Sequence, residues 1–158
     1  MVSPLERAAD YPRPPDLVAS DQHIQVWALG QLLVESRRSL RVLETFHPPS
    51  YYFPPEAVRW DLLVPAAGRS FCEWKGVASY FSVVSGLRRL ERVAWSYANP
   101  TAAFAPLAGW LAVYPGRMDR CSVDGEPVEP QAGGFYGGWI TSGVMGPFKG
   151  DPAHPELI

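Results

Sequence analysis

Apolar and polar positions alternate through much of this chain, and the alternation is broken every few residues by proline or glycine. In Ile24-Gln25-Val26-Trp27-Ala28, the residues Ile24, Val26 and Ala28 fall on one face at the period of two that marks a strand. Leu29-Gly30 reads as a hairpin turn, with Gly30 free to take positive φ, and Gln31-Leu32-Leu33-Val34-Glu35 returns as a second strand. Leu40 to Thr45 reads as a third. It is bounded by His47-Pro48-Pro49, where the chain must turn and the prolines have no N–H to donate. Tyr51-Tyr52-Phe53 is a short strand stopped by Pro54-Pro55, and Pro55-Glu56-Ala57-Val58 fits one helical turn with proline at its first position. Asp61-Leu62-Leu63-Val64 is a further strand, closed by Pro65, and Ala66-Ala67-Gly68 reads as a loop.

The run Val77 to Val84 has the strongest strand character, followed by a turn at Ser85-Gly86. Arg88 to Tyr97 reads two ways. Leu90 and Val93-Ala94 suit a helix, whereas Val93, Trp95 and Tyr97 alternate; the second half is expected to be a strand paired with 77–84. Asn99-Pro100-Thr101 opens a short helix through Leu107, with Thr101 as its cap. Trp110 to Tyr114 and Met118 to Val123 are strands on either side of Pro115-Gly116, and Asp124-Gly125 makes a hairpin turn into Glu126-Pro127-Val128. The predicted architecture is mainly β, with small antiparallel sheets and one or two short helices. Residues 1–20 form a proline-rich arm docked in part through Tyr11, and residues 21–130 form the β domain. Residues 131–158 form a tail of glycines and aromatics that packs back on the domain with its rings buried.

Composition narrows the classes of function. The 158 residues are 47% apolar and 19% charged, which is one globular domain with a real core. The formal net charge is −2 and no basic stripe appears, so nucleic acid is not an expected partner. No apolar stretch approaches a membrane span, and residues 1–10 lack the pattern of a signal peptide. Cys72 and Cys121 lie far apart, and the expected setting is the cytoplasm with both thiols reduced.

The candidate chemistry clusters around Arg69-Ser70-Phe71-Cys72-Glu73-Trp74-Lys75-Gly76. An ammonium such as Lys75 near Cys72 favours a thiolate nucleophile, with His47 or Lys75 assisting. The alternative is a buried cysteine packed as a small hydrophobe. His47 stands beside Glu44, which can orient an imidazole for base work or leave it a hydrogen-bonded loop residue. Glu44, Asp61 and Glu73 are carboxylates that either form an acid–base or cation site or neutralise Arg41, Arg59, Arg69 and Lys75. Tyr51, Tyr52, Trp74, Tyr80, Trp95 and Tyr97 can line a ligand cleft or fill a β core. No Cys-x-x-Cys pair, Walker loop, dinucleotide fingerprint or Gly-x-Ser-x-Gly elbow occurs, so no metal or cofactor is expected.

Three motifs carry a resemblance. Arg41-Val42-Leu43-Glu44-Thr45 with Pro48-Pro49-Ser50-Tyr51-Tyr52-Phe53-Pro54, Cys72-Glu73-Trp74-Lys75-Gly76-Val77-Ala78-Ser79-Tyr80, and Ala94-Trp95-Ser96-Tyr97 with Pro100 resemble the DUF427 family over roughly residues 24–128. The arm and the Gly-Phe-Tyr-Gly-Gly-Trp tail are similar to a longer subgroup of that family. The resemblance implies a β-tent, or Mss4-like, arrangement of small antiparallel sheets meeting at an angle. Zinc ligands found in relatives of that fold have no counterpart here, and nothing in this sequence supports the nucleotidyltransferase label attached to the family. The function expected is binding of an unidentified small molecule in a cleft that includes Glu44, Tyr52, Cys72, Lys75, Tyr80, Trp95 and Tyr97. An enzyme with Cys72 as nucleophile, and a structural domain that forms a homo-oligomer, are the alternatives.

Overall fold

A computed structural model describes residues 5–133 and 136–157. Met1 to Pro4, Gly134, Phe135 and Ile158 lie outside the described residues, and so does the expectation that the Phe135 ring is buried. In chain order the strands are β1 (Glu6–Arg7), β2 (Asp16–Ser20), β3 (Ile24–Ala28), β4 (Gln31–Ser36), β5 (Ser39–Leu43) and β6 (Ser50–Tyr52). They continue as β7 (Leu63–Cys72), β8 (Gly76–Ser85), β9 (Arg88–Ser96), β10 (Leu111–Val113), β11 (Arg120–Val123) and β12 (Glu126–Pro127). Short ladders complete the set with β13 (Glu129–Pro130), β14 (Trp139–Ile140) and β15 (Val144–Met145). The protein is mainly β, as its sequence predicts. The helical residues described all lie in short 3₁₀ turns, the longest being Ala102–Leu107. That turn carries Pro106 inside it and a non-helical residue at Phe104, so it does not extend to an α-helix. Among the described residues no helix is long and apolar enough to cross a membrane.

The larger sheets have the orders β12-β11-β3-β4, β10-β9-β8-β7 and β2-β5-β6. Their pairings are antiparallel. The β3–β4 hairpin turns through Leu29 (φ 51°) and Gly30 (φ 75°), and the β11–β12 hairpin through Asp124 (φ 50°) and Gly125 (φ 82°). Two left-handed central residues match the twist of the flanking strands. A left-handed leucine costs about 1–2 kcal/mol. Leu29 is 8% exposed and packed into the core, which returns about 1.5–3 kcal/mol and outweighs that strain.

The sheet β10-β9-β8-β7 is the middle layer. Leu111, Val113, Val83 and Val93 face a core shared with Ile24, Val26, Leu33 and Val34 of the first sheet. Ala112, Ala78 and Trp95 face a second core with Val42, Tyr52, Tyr97, Phe104 and Leu107. Coverage on both faces explains why Val93, Ala94, Trp95 and Ser96 are all buried.

Several local expectations change. Residues 88–96 are strand throughout, with a register break opposite Phe81/Val83 and Arg92 at φ 50°. Ser82 Oγ donates to Glu91 and accepts the Arg92 N–H, which holds that bulge in place. Between the Phe81–Ala94 and Val83–Leu90 pairs three residues of β9 stand against one of β8, and this irregularity produces the helix-like spacing of Leu90, Val93 and Ala94. The expected loop Ala66-Ala67-Gly68 is likewise a bulge inside β7, where Ala66 pairs with Tyr80 and Arg69 with Ser79. Thr101 makes no side-chain cap; its hydroxyl donates to the Trp74 carbonyl at 2.6 Å.

The stretch read as an arm contributes a strand. All five residues of β2 pair with β5, from Asp16↔Leu43 to Ser20↔Ser39. Tyr11 is buried and donates to Glu6 Oε1 at 2.6 Å, and Glu6 also takes both terminal nitrogens of Arg41 at 2.9 and 3.0 Å. The tail places Trp139, fully buried, 4.9 Å from the Tyr51 ring and 5.7 Å from Phe53.

Candidate functional site

The sheets β2-β5-β6 and β10-β9-β8-β7 are stitched at one edge, where Phe53 and Leu111 exchange backbone hydrogen bonds of 2.8 and 3.0 Å. Away from that seam a recess of about 220 Å³ opens between them. Val42, Glu44, Ser50 and Tyr52 line it from the β5–β6 side, and Ser70, Ala78, Tyr80, Trp95, Tyr97 and Tyr114 from the middle sheet. The turn gives His47 and Pro48, the β7–β8 hairpin gives Lys75, and the tail gives Gln131, Tyr136 and Gly137.

The three-residue loop Glu73 to Lys75 joins the paired residues Cys72 and Gly76. It is tied down by Thr101, whose N–H donates to the Lys75 carbonyl at 3.0 Å and whose hydroxyl takes the neighbouring Trp74 carbonyl. Lys75 Nζ then stands 5.8 Å from the centre of the Tyr97 ring, within reach of a cation–π attraction.

Gln131 organises the opposite wall. Its side-chain oxygen accepts the Gly138 N–H at 3.2 Å, which fixes the amide orientation. The amide nitrogen therefore donates to the Lys149 carbonyl at 2.8 Å and toward His47 Nδ1 at 3.2 Å. Nδ1 is thus the acceptor and the ring proton sits on Nε2, which faces Glu44 Oε2 at 3.9 Å. Burial pulls the His47 pKa below its ordinary value; Glu44 opposes this, and Lys149, Arg13 and Lys75 add to it.

Burial raises the pKa of the Tyr52 and Tyr97 hydroxyls, and pushes that of Tyr114 up to about 12. All three stay protonated and able to donate. Tyr52 accepts the indole N–H of Trp95 at 3.1 Å and shares a hydrogen bond with the Tyr97 hydroxyl, as Tyr114 does with that of Tyr80. Ser70 Oγ and Tyr80 OH share a hydrogen bond of 2.7 Å, and the Arg92 guanidinium lies 4.2 Å from the Tyr80 ring centre.

The structure brings Glu44, His47, Tyr52, Lys75, Tyr80, Trp95 and Tyr97 to one recess. It leaves Cys72 outside that lining, half-buried against the second core. Trp95 is a wall and not a free stacking surface: it is 8% exposed, and its ring centre lies 4.6 Å from that of Tyr114. Of the two readings of the carboxylates, a shared acid–base or cation site does not form, and ion pairing describes Asp61 and Glu44. Asp61 is held by Arg59 at 2.7 and 3.0 Å, Glu73 is exposed at the hairpin tip, and Glu44 pairs with Arg13 at 3.4 Å. Arg41 goes to Glu6 instead of Glu44. Among the described residues no group of three or more His, Cys, Asp or Glu is placed to hold a metal ion. Cys121 is buried in the first core, which pushes its thiol up to about 12. Sequence reasoning missed Arg13, Gln131, Tyr136 and Lys149. The one available signal for the last three was the density of aromatics among the tail glycines.

No curated protein matches this sequence. A sequence model of the family described as "Domain of unknown function (DUF427)" matches residues 16–124, more than half of the chain. The match runs from β2 to the turn after β11 and takes in Glu44, His47, Tyr52, Lys75, Tyr80, Trp95 and Tyr97. Arg13 and the tail residues Gln131, Tyr136 and Lys149 fall outside it. On that match, the chain belongs to the DUF427 family.

Proposed function

We propose that this protein binds a small molecule in the recess between its second and third sheets. The observation that carries the reading is the convergence of polar side chains from separate segments on one opening: Glu44, His47, Lys75, the tyrosine hydroxyls and Gln131. Binding sites are concave, with a few fixed polar groups set among apolar walls. The family's own domain supplies the floor, and the flanking segments supply Arg13 and the tail cover.

The reading with Cys72 as nucleophile has less support, because the thiol is absent from the lining. Nor is His47 free for base work, with Nδ1 accepting from Gln131 and Nε2 turned to Glu44. Binding is therefore the reading adopted. A thermal-shift screen of small polar metabolites tests it, with hits mapped by two-dimensional NMR. Binders should raise the melting temperature by mass action and move the signals of the Trp95 indole N–H and the Gln131 amide. Hits that perturb only residues remote from the recess would end the proposal.

A further inference from the structure

The charge around the recess is opposite in sign to that of the whole chain. The formal net charge is −2, yet Lys75 and Glu44 balance within the lining and three further cations, Arg13, Arg92 and Lys149, bear on residues of that lining. Only two of the fourteen basic residues are lysines, and both bear on this site: Lys75 lines it, and Lys149 acts on His47 from the tail. Arg13 reaches in to Glu44, and Arg92 lies against Tyr80. Glu44 is the one carboxylate among the described lining residues, and Arg13 already neutralises it. Lys75, Lys149 and Arg92 have no carboxylate within ion-pair distance among the described residues. Clefts of one sign concentrate ligands of the other.

Hydrogen bonding points the same way. The Tyr52 and Tyr97 hydroxyls bond each other beside the Trp95 indole N–H that Tyr52 accepts, and one of their two protons remains to give. The Ser70–Tyr80 hydroxyl pair has a second proton to offer, and Lys75 offers three. A cationic ligand would meet these donors and uncompensated positive charges. An anionic one would meet partners.

Taking the binding reading as its premise, we infer that the ligand carries a compact oxyanion, a carboxylate or a phosphate on a small body. Lys75 is its counter-charge and the tyrosine and serine hydroxyls are its donors. Glu44 is the element that weakens anion binding and so limits which anions are retained.

The test titrates the full chain with benzoate, phenyl phosphate, neutral benzamide and cationic benzylamine at low and moderate salt. The readouts are the Trp95 indole and Gln131 amide signals. At least one anion should bind about tenfold or more tighter than benzamide, with benzylamine weakest and anion affinity falling as salt rises. Benzoate against phenyl phosphate separates carboxylate from phosphate. Lys75→Met should weaken the anion by about tenfold or more, Lys75→Arg should retain most of the affinity, and Glu44→Gln should tighten it. Melting temperatures of the variants report whether each is folded. If benzamide or benzylamine binds in the recess as well as the anions, or Glu44→Gln weakens the anion in a folded protein, the anion inference falls and small-molecule binding stands. If no probe of any charge moves the recess signals at millimolar concentration, both fall.

Discussion

A side chain at Gly137 would place its Cβ 2.3 Å from Trp95 Cη2, closer than any real contact. Gly137→Ala should therefore destabilise the protein by about 1–3 kcal/mol, because either the indole or the tail must move. Gly143→Ala, where the nearest atom would be 3.6 Å from the new Cβ, should stay within about 0.5 kcal/mol of the parent in urea unfolding. His47 gives a second residue-scale expectation. Its folded pKa lies below the unfolded value, so the folded state binds its proton less readily. The associated stability is present above about pH 6.5 and is lost as the pH falls through the lowered folded value. The groups that set it face His47 from several elements: Glu44 on its own loop, Arg13, Lys75, and Lys149 and Gln131 on the tail. Protonation would also turn Nδ1 into a donor against the Gln131 amide. Urea midpoints measured from pH 7.5 to 5 should fall for the parent, and less for His47→Gln. The thiols separate as well. In the native protein a thiol reagent should label Cys72 alone, and unfolding should release Cys121. Labelling of Cys121 in the native state would contradict its place in the core.

At the scale of elements, what matters is how the hairpin of β7 and β8 is aimed. Thr101 ties the Glu73 to Lys75 loop through one side-chain and one backbone hydrogen bond. Thr101→Val keeps the second and removes the first. It should cost about 1 kcal/mol, and it should weaken binding at the recess because Lys75 loses a fixed position. A variant that loses stability while its ligand affinity is unchanged would show that this tie does not aim Lys75. Most of the longer strands were readable because alternation survives where pairing is regular, as in Ile24, Val26 and Ala28, but β2 pairs regularly and its sequence still reads as an arm. Alternation fails where a bulge inserts residues, as at Arg92 and at Ala67-Gly68. A bulge is chosen by the partner strand and by groups such as Ser82, which lie outside any local window.

For the molecule as a whole, the tail is part of the core. Trp139 is fully buried among residues of the family's domain, and its backbone N–H donates to the Pro49 carbonyl at 2.8 Å. Trp139→Ala should cost about 3–5 kcal/mol in urea or thermal unfolding. Removing residues 131–158 should yield an unstable chain with a lower melting temperature, not a smaller stable domain. An unchanged melting temperature in either variant would refute this account of the tail.

The mainly β character follows from the chain's own periodicity and its prolines, which act over a few residues and need no distant partner. The family motifs likewise sit in contiguous strings, so Glu44, Tyr52, Lys75, Tyr80, Trp95 and Tyr97 could be nominated as neighbours before any fold was known. Cys72 shows the limit of that reasoning. It is close to Lys75 in sequence, but the hairpin loop between them sends the ammonium into the recess while the thiol packs against the second core. Long-range closure decided the rest: β2 joining β5, Arg13 reaching Glu44, and Gln131 and Lys149 arriving over His47 from the far end of the chain. Contacts of that kind depend on where separately folded segments come to pack in three dimensions. No local pattern of hydrophobic and polar residues carries that information.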